Sequence, residues 1–241
     1  MKYALVVALG ALLLAGCETR SISNSGYRSD SYWGRGDRNP FYTGELTELD
    51  ILGIAPNGEA TNENIAQTLA TATTPKLKRG DRVLLMQSGA MVPDEAMLTE
   101  ANRYFEVAPF SGVPPSDRFG ATPAERTGFA PSLRLRAAQG GYRIIVCYWG
   151  VLESAREGGQ AGPAGWVPIV SSLVPDQKQQ MRIRLKAIVV DVASGAWRML
   201  APEVYTDESF NSYWSRERKD QLLVNALKEK GYKSLVADLL K

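Results

Sequence analysis

The pattern that most restricts how this chain can fold lies between Met181 and Leu200. Met181, Ile183, Leu185 and Ala187 alternate with Arg182, Arg184 and Lys186. Successive side chains of a strand point to opposite faces, so this spacing predicts a half-exposed antiparallel strand, apolar on one face and cationic on the other. The strand continues through Ile188-Val189-Val190-Asp191-Val192 into Ala193-Ser194-Gly195, a tight turn, and Trp197 to Leu200 returns.

Other segments read more coarsely. Glu48 to Ile54 is the first folded element, and Pro56-Asn57-Gly58 turns the chain. Thr61 predicts an N-cap for a helix with Ile65, Leu69 and Ala72 on one face, ended at Pro75. Arg82 to Gln87 is a short apolar run between turn signals, which predicts a central strand. Pro93, Asp94 and Glu95 open a helix to about Tyr104, and Phe105 to Phe110 predicts a strand. Ser111 to Pro131 is a Gly/Pro-rich surface loop, after which Ser132 caps a short helix ended by Gly140-Gly141. Tyr142 to Ser154 predicts a long strand, and Trp166 to Val174 an edge strand because of Pro168. Val204 to Trp214 is a connection, and Ser215 caps a C-terminal helix that Gly231 interrupts. The expected fold is α+β: a mixed, mostly antiparallel sheet with helices packed on it and a C-terminal helix.

The start of the chain determines location. Lys2 precedes an uncharged, mostly aliphatic run from Tyr3 to Leu14, and Ala15-Gly16 are small residues before Cys17. An apolar run of about 7–15 residues behind a basic region is a secretory signal, whereas a membrane span needs roughly 18 or more. Leu14-Ala15-Gly16-Cys17 resembles the lipobox of bacterial lipoproteins. That resemblance implies a diacylated Cys17 sulfur, cleavage before Cys17 and an acylated amino terminus. The other reading is an ordinary signal peptide with a chance cysteine. By the same resemblance, the lipoprotein sorting pattern reads Glu18 in place of Asp as delivery to the outer membrane, facing the periplasm. Residues 1–16 are then a signal peptide, 17–43 a lipidated flexible linker, and 44–241 a single α+β domain. The linker is poor in aliphatics but holds Tyr27, Tyr32, Trp33, Phe41 and Tyr42 among Ser, Gly and Arg, a composition expected to span distance rather than fold.

The hairpin carries a second likeness. An alternating strand, Val189-Val190-Asp191-Val192-Ala193-Ser194-Gly195, a returning strand and a C-terminal helix resemble the lipoprotein superfamily of CsgG, a secretion channel, and LpoB, a penicillin-binding-protein activator. The amino-terminal domain of TolB is similar. This resemblance implies a protein-binding assembly or activator component of an envelope or secretion machinery, with an oligomeric ring as one alternative. A pore of that kind needs two hairpins of strands about 9–11 residues long. Residues 148–186 contain Gly, Pro and charges where its apolar band belongs, so a periplasmic domain is expected rather than a channel.

Composition narrows the chemistry. The chain has no histidine, which excludes Ser-His-Asp and Cys-His arrangements and removes the commonest metal ligand. No Gly-x-Ser-x-Gly or phosphate-cradling Gly-x-x-x-x-Gly-Lys occurs. Pro75 breaks the turn in Thr73-Thr74-Pro75-Lys76 that would echo Ser-x-x-Lys enzymes. Loss of Lys2 with the signal reduces the net charge of +2 to +1, too little to gather nucleic acid. Cys147, inside a buried strand pattern, reads as an inert core residue. Expected, therefore, are no catalytic residues, cofactor or metal, a membrane contact through the lipid, an envelope protein partner and, as a further possibility, homo-oligomers. Trp149, Trp166, Phe119 and Phe129 are candidate partner contacts, since large aromatics dominate binding hot spots. The alternative is a cell-envelope hydrolase using paired carboxylates, drawn from Glu95, Glu100, Glu106 and Glu153 without a spacing that selects among them.

Overall fold

The computed structural model describes residues 18–25, 42–53, 61–114, 128–157, 177–211 and 216–241. The strands are β1 (Glu18–Ser21), β2 (Arg82–Ser88), β3 (Glu106–Gly112), β4 (Ile144–Glu157), β5 (Gln177–Asp191), β6 (Trp197–Leu200) and β7 (Tyr205–Asn211). The helices are α1 (Glu48–Leu52), α2 (Asn62–Thr71), α3 (Glu95–Ala101), α4 (Phe129–Gln139) and α5 (Arg216–Leu239), with a 3-10 turn at Ile22–Asn24. The fold is α+β, as expected. One open seven-stranded sheet runs β3-β2-β4-β5-β6, with β1 added to β4 and β7 to β5.

The long β4–β5 pair is its spine. β2 lies parallel to both β3 and β4, and the other pairings are antiparallel. β5 holds one edge of β4 from Ile144 to Glu157. On the other edge β2 covers Ile144–Tyr148, and β1 takes over at Val151–Ser154. β5 is shared in the same way, by β6 at Ala187–Val190 and β7 at Gln177–Ile183.

Alternation sorts the apolar side chains into a core on each face. Val83, Leu85, Val146 and Tyr148 face α3 and α5, where they meet Met97, Leu227, Leu235 and Val236. Leu84, Met86, Cys147 and Trp149 face α1 and α4, where they meet Ile51, Leu133 and Ala137. β2 is buried on both faces because it is the central parallel strand, which explains its unbroken apolar run. On β5, Ile183, Leu185 and Ala187 are buried while Arg184 is exposed, as the alternation requires.

The hairpin turn is held by the Asp191 carboxylate, which accepts from the Ser194 backbone N–H and hydroxyl, each at 2.8 Å. Gly195 has φ of 75°, a conformation glycine adopts without a Cβ penalty. The helix starting after Thr61 also forms as expected, with the Thr61 hydroxyl accepting from Asn64 N–H at 3.2 Å. None of its residues is buried, and Ile65 and Leu69 are 48% and 73% exposed.

Four details differ from the sequence reading. Glu48 to Ile54, read as the first folded element, is a short helix closed by a Thr47–Asp50 capping box and Gly53, and β1 and the 3-10 turn precede it. α4 begins at Phe129, so Ser132 is inside it and donates its backbone N–H to Gly128 O rather than capping. α5 passes through Gly231 without a break, because the helix lies against β5: a Cβ there would stand 2.8 Å from Leu185 Cδ1. Residues 205–211, read as connection, are a strand. The expected strand at Trp166 to Val174 lies outside the described residues. No helix among the described residues is long and apolar enough to cross a membrane.

Candidate functional site at the carboxyl end of the central strand

β2 ends in two polar residues, and the pleat sends one to each face. Gln87 and Ser88 are both 1% exposed, so each must find partners inside the protein. Gln87 faces α3 and α5. Its Oε1 accepts from Tyr148 Oη at 2.6 Å and from the Asp94 backbone N–H at 2.7 Å, and its Nε2 donates to Ser23 Oγ at 3.0 Å. Asp94, the N-cap residue of α3, pairs with Lys228 Nζ at 2.8 Å and accepts from Tyr232 Oη. Tyr148 and Tyr232 meet edge to face with centroids 5.6 Å apart. Burial pushes both phenols well above the ordinary tyrosine range, Asp94's charge adding to the first and Tyr148 to the second. Both stay protonated and act as donors.

Ser88 faces the other core. Its hydroxyl accepts from Leu46 N–H at 2.8 Å, and Trp149 Nε1 donates to Leu46 O at 2.6 Å. A Cβ on Gly89 would lie 2.8 Å from the Tyr42 ring and 3.0 Å from Gly44 O, so the glycine lets residues 42–46 close over the strand end.

These groups converge on the chain's own amino-terminal peptide. Lys228 Nζ donates to Ile22 O at 3.1 Å, and Ser23 Oγ donates to Ser88 O. Ile22 is 1% exposed and sits in the α3/α5 core. Gly150 makes room for it: a Cβ there would stand 2.7 Å from Ile22 Cγ2 and 2.6 Å from Leu185 Cδ2. Glu18–Ser21 then pairs with β4, and Ser21 Oγ donates to Glu45. The expectation of a free spacer through residue 43 is therefore corrected for Glu18–Ser25, which is built into the fold. Composition missed this because the segment's partners belong to the body.

Placement matters here. α3 and α4, which follow β2 and β3, pack on opposite faces, so the chain changes direction between β2 and β4. In open sheets the crevice beyond the strand ends at such a switch point is where ligands bind. In this protein Ile22, Ser23 and Leu46 occupy it.

Two of the four expected contact residues, Trp149 and Phe129, lie among the described residues. Trp149, named as a candidate partner contact, is 6% exposed and belongs to the α1/α4 core, with Lys186 Nζ 5.1 Å from its ring centroid. Its indole N–H is used internally, so it is a packing residue. Phe129 opens α4 and is half-buried against the same core. Cys17, Phe119 and Trp166 lie outside the described residues. Of the named acids, Glu100 pairs with Arg103 at 2.9 Å, Glu106 with Arg82 at 3.5 Å, and Glu153 with Arg184 at 3.3 Å and with Arg182. Cys147 is buried, and burial raises its thiol well above the usual range. Among the described residues no group of acids and thiols is placed to hold a metal ion.

Sequence reasoning also missed Gln87, Asp94 and Lys228 as a set. One signal existed: Val224, Lys228 and Tyr232 repeat at i, i+4, which puts a cation inside an apolar stripe.

No curated protein matches the chain. Among solved structures, the PelC dodecamer from Paraburkholderia phytofirmans is 15% identical, with 68% of this chain and 93% of that one covered at a TM-score of 0.24. The hypothetical protein CT253 from Chlamydia trachomatis is 12% identical, with 67% and 96% covered at 0.29. Likeness at these scores says nothing of how this chain assembles. The family match is of another order: residues 47–241 fit the family described as YafT bacterial lipoprotein, and the chain belongs to that family.

Proposed function

We propose that this protein is an outer-membrane lipoprotein whose periplasmic body works without catalysis, binding another envelope protein as an assembly or activator component. One observation carries the reading: the switch-point crevice of the sheet, where an enzyme of this topology would hold its ligand, is filled by Ile22, Ser23 and Leu46. The buried polar groups around it are spent on holding those residues. Family membership supports a lipid anchor, and the lipobox-like Leu14-Ala15-Gly16-Cys17 gives the attachment point. The sequence motif Val189–Gly195, which resembles the CsgG and LpoB superfamily, supports a partner-directed role.

The test is in-cell cross-linking of full-length protein tagged at its carboxyl end, followed by density separation of the two membranes and mass spectrometry. The expected result is an acylated protein in the outer-membrane fraction with one reproducible envelope partner. Recovery of no such partner, or turnover of a cell-wall substrate by the purified protein, would overturn the reading.

A further inference from the structure

We propose that the end of the sheet where β2, β3 and β4 begin is a docking surface for an acidic segment of another envelope protein, an inference that rests on the partner-binding role above and names the chemistry of that partner. Lys78, Arg79, Arg82, Arg103 and Arg143 are all exposed there.

The backbone draws these cations into one strip. The three strands start side by side, with Arg82 opposite Glu106 and Val83 opposite both Val107 and Ile144. The turn before β2 lies against the residues that lead into β3: Gly80 N–H donates to Tyr104 O at 2.7 Å, and Glu106 N–H to Asp81 O at 3.0 Å. Arg79 then lies over the Tyr104 ring, 4.6 Å from its centroid. Arg82 lies over Tyr142 at 4.8 Å, and its Nη1 donates to Gly141 O at 3.3 Å. A guanidinium within about 6 Å of a ring centroid is attracted to the face of the ring. Both groups are therefore oriented before a partner arrives, which lowers the ordering cost of binding.

Charge at this end is not balanced from within. Arg82 pairs with Glu106 at 3.5 Å and Arg103 with Glu100 at 2.9 Å. Asp81 and Asp191 use their carboxylates on turns, accepting from Lys78 N–H at 2.7 Å and Ser194 N–H at 2.8 Å. Lys78, Arg79 and Arg143 have no ion pair among the described residues. On a chain whose net charge is only +2, these cations beside two arginine–tyrosine stacks are a local excess. Carboxylates are the matching group, since the planar arginine fork takes them bidentately. Position favours a protein over lipid headgroups. Glu18 lies opposite Ser154, ten residues along β4 from Ile144, which at about 3.3 Å per residue is about 33 Å from the start of the strand.

The experiment reads fluorescence anisotropy of a dye-labelled hexaglutamate peptide as full-length protein in neutral detergent is added. Binding that weakens several-fold between about 50 and about 300 mM salt is expected, with hexaglutamine left free. Arg79→Glu should weaken binding about tenfold, whereas Lys233→Glu, the same charge change at an exposed position of α5, should alter it by less than about twofold. Thermal melts of both variants should match the parent, because both side chains are exposed. No binding, or equal loss in the two variants, overturns the assignment. Phosphatidylglycerol vesicles that bind through Arg79 when hexaglutamate does not would give the surface to lipid and overturn it as well. In cells, Arg79→Glu should abolish the cross-link to the envelope partner. A partner recovered undiminished from that variant sinks this surface while the partner-binding role stands, and no partner from the parent sinks the role itself whatever the peptide does.

Discussion

Ile22→Ala tests directly whether the amino-terminal peptide is part of the fold. The side chain is 1% exposed, and truncation removes its γ and δ carbons. At about 0.8 kcal/mol per buried carbon the lost transfer energy is about 2.4 kcal/mol. A rigid core adds a cavity term that takes such changes to roughly 2–5 kcal/mol, but a peptide near a chain end relaxes, so the lower figure applies. Only the seating of Glu18–Ser25 needs to respond, since the backbone of Val83–Met86 is held on both sides by β3 and β4. The population with the peptide open should rise about 50-fold, at about 1.4 kcal/mol per factor of ten. Amide hydrogen exchange read by mass spectrometry measures it. Exchange should accelerate by that factor in Glu18–Ser25 and in the facing Val151–Ser154, and stay unchanged in Val83–Met86. Two results would refute the reasoning: exchange in Glu18–Ser25 already as fast as a free peptide before substitution, or no acceleration after it.

Other outcomes follow from the same contacts. Lys228→Met leaves Asp94 without its cation and should cost about 2–3 kcal/mol in urea unfolding, below the roughly 3–5 for a fully buried pair because Asp94 is 28% exposed; adding Asp94→Asn should recover part of the loss. Gly112→Ala would put a Cβ 2.0 Å from Gln87 O, a clash with backbone, so a loss of about 3 kcal/mol at the top of the usual overpacking range is expected in the same assay. The Ser194 backbone N–H holds the Asp191 carboxyl below the ordinary range, and Ser194's hydroxyl adds to it, so its stabilisation is present at neutral pH and lost as pH falls through the folded value. Asp191→Ala should therefore lower stability by about 0.5–1 kcal/mol at pH 7, with the gap closing below about pH 4 in thermal melts. Cys147 should resist a maleimide in the native protein and react at the rate of unfolding, since burial both hides the thiol and raises its pKa.

Local pattern made much of the sheet legible. Arg184 between Ile183 and Leu185 declares a half-exposed strand, Val83 to Met86 a doubly buried one, and Thr61 a helix start, because each signal is set by near neighbours. β7 escaped because Asp207, Glu208, Ser209 and Asn211 leave little apolar alternation in an outer strand. Gly231 reads as a helix break because propensity sees an entropy cost, whereas the structure uses the missing Cβ to bring α5 against Leu185.

The seat of the amino-terminal peptide could not be read in the same way, and the reason lies in where the ordering energy comes from. Within Glu18–Ser25 only Ile22 is aliphatic, so an average over the segment predicts a free chain. That average omits what the body offers. β2 pairs with β4 only as far as Tyr148, leaving β4 beyond it an edge whose backbone groups need partners. Lys228, 206 residues after Ile22, brings a donor to the same place, and Gln87 brings another 64 residues after Ser23. The peptide orders because it satisfies groups that were set by distant parts of the chain.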